Sequence, residues 1–329
     1  MEYRRLGKSG LQLSALSLGT WLTFGKEITD AVAEKIMVYA YDNGINFFDS
    51  AEIYARGQAE IVIGKILKKV KWPRSSYVVS SKVFFGIKGH DSKPNERGLS
   101  RKHVFEACDA ALKRMNVEYL DLYFCHRPDK HTPIEETVWA MNDLMRQGKI
   151  FYWGTSEWSA AEINEAHAAA ERYRLIGPTM EQPQYNMFVR DKMEHEYLTT
   201  FKSYGMGTTI WSPLATGVLT GKYNNGIPKN SRLHMEGLDW LRDSSVTADR
   251  INKVKQLQKL ADELEIKLPQ LALAWCLKNQ NVSTVILGAS KVDQLRDNLK
   301  SINALPILTD TVMKNIETVL DNKPKLPAY

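Results

Sequence analysis

Short runs rich in β-branched and aromatic residues alternate along the chain with longer stretches whose apolar positions recur every three or four residues. The runs fall at residues 16–18, 46–49, 77–80, 120–124, 150–153, 179–182, 208–211 and 284–287, and their length and composition predict strands. The stretches between them, such as 31–42, 101–115, 134–146 and 160–172, have the spacing of amphipathic helices. Ahead of the first run, Gly7-Lys8-Ser9-Gly10 separates Tyr3-Arg4-Arg5-Leu6 from Leu11-Gln12-Leu13, which predicts a β-hairpin that plugs or caps the remainder of the fold.

Several neighbouring strands begin about thirty residues apart, the length of one βαβ unit. An open doubly wound sheet and a closed barrel share this alternation. The dinucleotide fingerprint of the open sheet, G-x-G-x-x-G, is missing: the first strand runs into Leu18-Gly19-Thr20-Trp21. Eight units without it predict a (β/α)8 TIM barrel, one domain over residues 1–329, with an N-terminal hairpin cap. A long loop follows the seventh strand. It contains a polar stretch with Gly and Asn at 223–243, and long barrel loops are usually functional.

Composition narrows the classes. The 329 residues are 43% hydrophobic and 25% charged, which suits a globular core and excludes overall disorder. The net charge of +6 is spread out, without a basic stripe interleaved with aromatics, so no nucleic-acid partner is expected and an anionic small molecule suits the balance better. Neither a signal peptide nor an apolar run of membrane-spanning length is present, so a cytoplasmic protein is expected. Cys108, Cys125 and Cys276 lie far apart and read as reduced thiols.

Barrel active sites lie at the carboxyl ends of the strands. Asp49 closes the second strand, Tyr54 lies in the loop after it, Lys82 closes the third and His126 the fourth. Singly these could be a helix cap, a rim aromatic, a surface charge and a core histidine. Together they suit protonation of a carbonyl oxygen as hydride reaches its carbon, with Tyr54 as the acid. A free phenol titrates near ~10, so an adjacent Lys82 ammonium, held by Asp49, is expected to lower that value, while His126 orients the substrate oxygen. His126 and His131 lack a third ligand at workable spacing, and no metal is expected.

Hydride must come from a cofactor. Trp211, at the end of its strand, could set a ring against a nicotinamide, and Gln182 and Ser156 could bond its carboxamide. Gly288-Ala289-Ser290-Lys291 follows the last strand. Gly288 permits close backbone approach, Ser290 is expected to cap the next helix, in a box with Asp293, and the helix start with Lys291 forms an anion site. Lys222 and Arg232, in the long loop, could close over phosphates.

These residues fall in motifs that resemble the aldo-keto reductases from end to end: Gly44-Ile45-Asn46-Phe47-Phe48-Asp49-Ser50-Ala51-Glu52-Ile53-Tyr54, Ser80-Ser81-Lys82, Leu120 through Pro128, Gly154-Thr155-Ser156-Glu157-Trp158, Trp211-Ser212-Pro213-Leu214, Gly221-Lys222-Tyr223 and Gly288-Ala289-Ser290. Thr132 through Thr137, Glu181 through Phe188, and Ser231-Arg232 resemble most the branch of potassium-channel beta subunits and their plant and bacterial relatives. The resemblance implies these tetrad roles and NADP in preference to NAD. It adds cofactor contacts from Thr20, Trp21, Ser212, Pro213, Leu214, Thr216, Gln294, Asp297 and Asn298.

Two departures favour a working reductase. The animal channel subunits carry asparagine in place of His126, and they have an N-terminal extension ahead of the hairpin. Glu157 stands where those subunits carry arginine. The leading expectation is therefore an NADPH-dependent reductase of aldehydes or ketones, with a pocket of Trp21, Tyr54, Phe85 and Trp158. One alternative is a tetrameric NADPH-binding partner of a potassium channel. Another is a reductase of glyceraldehyde 3-phosphate or methylglyoxal, for which the sequence offers no evident basic group at the pocket mouth.

Overall fold

The computed structural model describes residues 1–228, 231–234 and 239–326, without the side chain of Arg232. A hairpin of β1 (Tyr3–Arg5) and β2 (Gln12–Ser14) comes first, paired antiparallel with Tyr3 opposite Ser14. Eight strands then close a parallel barrel: β3 (Leu16–Gly19), β4 (Phe47–Asp49), β5 (Val78–Val83), β6 (Leu120–Cys125), β7 (Ile150–Ser156), β8 (Met180–Gln182), β9 (Gly207–Ile210) and β10 (Thr284–Leu287), with β10 returning to β3. The expected strands are all present, with ends shifted by a few residues.

Helices cover the outside. Thr29, Ser100 and Ser159 start the helices Asp30–Asp42, Arg101–Met115 and Ala160–Arg172 by accepting a backbone N–H, and Ser159 forms a capping box with Glu162. Their apolar faces meet the outward residues of the strands, such as Phe48, Val79 and Tyr123, in one large core. Gly64 lets the helix Gln58–Val70 approach the end of Arg101–Met115 closely: a Cβ there would lie 2.4 Å from the Arg114 carbonyl oxygen.

Inside the barrel is a second, smaller core of Phe47, Val78, Leu122, Phe124, Met180 and Ile286. The hairpin's Leu6 and Leu13 are fully buried against it, which plugs the amino end as the sequence led one to expect. The barrel therefore opens only at its carboxyl mouth among the described residues. After β9 the chain makes a long excursion through helices Asp239–Ser245, Ala248–Glu263 and Leu268–Lys278 before β10. Among the described residues no helix is long and apolar enough to cross a membrane, and no cluster of His, Cys, Asp and Glu could hold a metal.

Candidate active site

Strand alternation delivers the polar groups. Successive side chains of a strand point to opposite faces, so moving two residues beyond an inward apolar residue restores the inward direction. Phe47 is followed by Asp49, Val78 by Ser80 and Lys82, Phe124 by His126, and Met180 by Gln182. An apolar floor thus gives way to a polar layer at the mouth.

Within that layer Lys82 and Asp49 form a fully buried ion pair, Nζ to Oδ2 2.6 Å. The same ammonium donates to the Ser50 carbonyl at 2.7 Å and to the Tyr54 hydroxyl at 3.3 Å. The other oxygen of Asp49 accepts from the Ser80 hydroxyl at 2.7 Å and from Gln182 Nε2 at 3.1 Å. Tyr54 opens a short helical turn, Tyr54–Gly57, and its ring lies 5.8 Å from that of His126, nearly perpendicular. Phe85 stands edge-on to the imidazole at 5.1 Å. His126 Nδ1 is buried without a hydrogen-bond partner among the described residues. The four groups that the sequence put at neighbouring strand ends therefore meet.

Burial, reinforced by the Asp49 charge, pushes the Tyr54 phenol well above its ordinary value, against a smaller pull from Arg127. This reverses the expectation that Lys82 would lower it. The lysine charge is already taken up by Asp49 and the Ser50 carbonyl, which leaves desolvation of the phenolate in control. Burial also lowers Lys82, with Asp49 opposing, and sends His126 well below the usual histidine range, assisted by the positive Lys82 and Arg127. At neutral pH the phenol keeps its proton and the imidazole is uncharged.

Asp49, Tyr54 and His126 line a cavity of about 970 Å³, with Lys82 behind them. That is near the upper end of the roughly 300–1,000 Å³ typical of ligand sites, and more than a small carbonyl compound alone needs. Trp21, Asp49, Tyr54, Phe85, His126, Ser156, Gln182, Trp211, Ser212, Pro213, Leu214, Thr216, Lys222, Gly288, Ser290, Lys291, Gln294, Asp297 and Asn298 all line it. Trp21 and Trp211 meet edge to face at 6.0 Å, forming an aromatic wall. Ser212, Ala215 and Thr216 take left-handed backbone conformations that cost energy and often mark functional loops.

Other expected residues lie elsewhere. Lys82 sits behind the cavity wall, fully buried. Thr20 is also buried and braces the tetrad instead, its hydroxyl donating to the Asp49 carbonyl at 3.0 Å. Trp158 does not reach the pocket: it is 1% exposed and packs in the outer core, where its carbonyl accepts from the Tyr197 hydroxyl. The Arg232 side chain lies outside the described residues. Ser290 does not cap a helix, because the helix Val292–Leu299 begins one residue too late and Lys291 takes the flanking position. The Gln294 side chain turns back instead to accept the Ser290 N–H at 2.9 Å, and Asp293 pairs with Arg296.

Residues that sequence reading passed over also line the cavity. Arg127 directly follows His126 and so had the same strand-end signal; Gln184 and Asn186 follow β8. Arg250 and Lys267 come from the long excursion, where no strand end marks them. Glu157, in a left-handed conformation, fixes Trp211: its carboxylate accepts from the indole Nε1 at 2.9 Å, from the Gln184 N–H at 2.6 Å and from Lys192 at 2.9 Å.

Polar groups gathered at the carboxyl mouth of a closed barrel are the arrangement on which (β/α)8 enzymes are built. Among them, the chain belongs to the Aldo/keto reductase family, whose profile matches residues 15–321. It is 50% identical over 328 residues to an Arabidopsis thaliana protein named probable voltage-gated potassium channel subunit beta, covering 99% of each chain. A protein of the same name from Oryza sativa subsp. japonica is 48% identical over 326 residues, covering 99% of this chain and 98% of the relative. These names agree with the branch that the motifs resemble, and the family supports an oxidoreductase.

Proposed function

We propose that the protein is an NADPH-dependent carbonyl reductase in which Tyr54 is the general acid. The observation that carries the reading is that the Tyr54 hydroxyl, the Lys82–Asp49 pair and the His126 ring converge beside a cavity of about 970 Å³, whose lining continues to Ser290 and Asn298. When bound, the cofactor supplies hydride to the carbonyl carbon. Trp211 and Trp21 would flank the nicotinamide end, and Ser156 and Gln182 would meet its carboxamide. Gly288, Ser290, Lys291 and Asn298 would hold the phosphate-bearing end, where the start of the helix Val292–Leu299 favours anions.

The protein's own part is proton transfer and positioning. The buried phenol holds its proton until negative charge develops on the substrate oxygen, because an alkoxide is a stronger base than a phenolate. Lys82 then stabilises the phenolate from 3.3 Å, and Asp49, held by Ser80 and Gln182, keeps the ammonium in place. The neutral His126 can donate to the same substrate oxygen without adding charge to the pocket. Loss of NADPH absorbance with a panel of simple aldehydes tests the reading. Turnover is expected, and none across the panel would refute it.

The relatives' names support a second reading, in which the protein is also a partner of a potassium channel. Co-purification with the cytoplasmic portion of such a channel from the same organism is then expected, and its failure with both proteins folded would remove that reading.

A further inference from the structure

One cation at the tetrad end of the cavity acts on Tyr54 and His126 only through its charge, and hydrogen-bonds to neither side chain. Arg127 lines the cavity beside His126. Its Nη1 donates to the His126 carbonyl at 2.5 Å and reaches Ser156 Oγ at 3.5 Å, while its Cζ lies 5.6 Å from the centre of the Phe85 ring. Among the described residues no carboxylate pairs with it, and its Nε and Nη2 have no acceptor. The nearest acid in sequence, Asp129, is engaged by the Leu99 and His131 N–H groups and the Thr132 hydroxyl. The vacant N–H groups of Arg127 are not sealed in protein, unlike Arg74 Nε and Arg114 Nη2, and the residue lines the cavity.

Two other cations of the cavity are engaged within the protein, and Lys291 stands with Gly288 and Ser290 at the end assigned to the cofactor's phosphates. Arg250 donates to the Ser244 and Ser245 carbonyls, and Lys267 pairs with Asp297 at 2.6 Å. A guanidinium that is weakly hydrated, backed by an aromatic ring and offering unused N–H groups is built to take an oxyanion in fork geometry.

We propose that Arg127 selects the substrate, and that the carbonyl compound reduced at this site carries a carboxylate or a phosphate. This rests on the reductase reading and narrows it.

The test compares kcat/KM for 4-carboxybenzaldehyde with 4-methylbenzaldehyde, and for glyceraldehyde 3-phosphate with glyceraldehyde, all with NADPH. In Arg127→Met the anionic-to-neutral ratio is expected to fall by about 10- to 100-fold, with part recovered in Arg127→Lys, since a lysine keeps the charge but not the fork. The pair with the larger fall identifies the anion. Unchanged ratios in both pairs overturn the proposal. So does a rise in the NADPH dissociation constant that accounts for the whole loss, which would assign the guanidinium to the cofactor. If no aldehyde turns over, the reductase reading fails by itself. Binding of 4-carboxybenzoate to the NADP-loaded protein, read from quenching of Trp21 and Trp211 emission, then decides the proposal. Weakening of about tenfold or more in Arg127→Met supports it, and equal binding overturns it.

Discussion

Replacing Lys82 by methionine keeps much of the side chain's volume and removes the cation from a buried pair. Lys82 is fully buried and Asp49 almost so, with side-chain exposures of 0% and 4%, so the carboxylate left behind can be rehydrated only at the edge it presents to the cavity. Breaking such a pair from one side costs about 3–5 kcal/mol. Ser80 and Gln182 still donate to one Asp49 oxygen, which places the expected loss toward the lower end, about 3 kcal/mol. Adding Asp49→Asn to Lys82→Met removes the stranded charge, and the double variant is expected to recover at least about 1 kcal/mol over the single one. Equilibrium urea denaturation at neutral pH, without cofactor, measures both. A Lys82→Met protein within about 0.5 kcal/mol of wild type, or a double variant less stable than the single, would refute the claim that these residues form a tightly coupled buried pair.

Other perturbations reach the surrounding frame. The folded-state value of His126 is depressed, so its contribution to stability is intact above about pH 6.5 and declines as the pH falls toward the folded value. The stability of His126→Asn should therefore fall less steeply than that of wild type between pH 7 and 5, and parallel curves would be contrary. Glu157→Arg sets a cation against Lys192 and leaves the Trp211 and Gln184 donors unmet, for an expected loss of about 2–4 kcal/mol by urea denaturation; an unchanged midpoint would show that the carboxylate does not hold Trp211. Gly64→Ala drives a methyl into the Arg114–Met115 backbone and is expected to cost about 1–3 kcal/mol, with thermal unfolding as the check.

The tetrad was legible in the sequence for a geometric reason. Each of Asp49, Lys82 and His126 lies at or near the carboxyl end of a strand, and alternation turns all of them inward at the same mouth. The hairpin was legible from its turn, since Gly7-Lys8-Ser9-Gly10 divides Tyr3-Arg4-Arg5-Leu6 from Leu11-Gln12-Leu13. Features that depend on a single residue's register were harder. A one-residue delay in the last barrel helix moved the cap away from Ser290, and the turn at Glu157 sent Trp158 into the core.

The sign of the Tyr54 shift could not be read from adjacency to Lys82, because it depends on how much of the lysine's charge Asp49 and the Ser50 carbonyl absorb. Arg250 and Lys267 reach the cavity from helices far from any strand end, and only the folded excursion after β9 brings them there. Glu157 illustrates the converse. Sequence reading sets it apart as a glutamate where the animal channel subunits carry arginine, but only the fold shows that the carboxylate serves an indole, a backbone amide and a lysine at once.

Removing one oxygen atom tests the central claim most directly. Tyr54→Phe keeps the ring against Lys82 and His126 and deletes the proton assigned to transfer to the substrate oxygen. Saturated with NADPH and a simple aldehyde, the variant is expected to lose about 10²- to 10⁴-fold in kcat while binding NADPH within about threefold of wild type. Turnover at the wild-type rate would mean that the proton comes from another group, and the assignment of Tyr54 would be wrong.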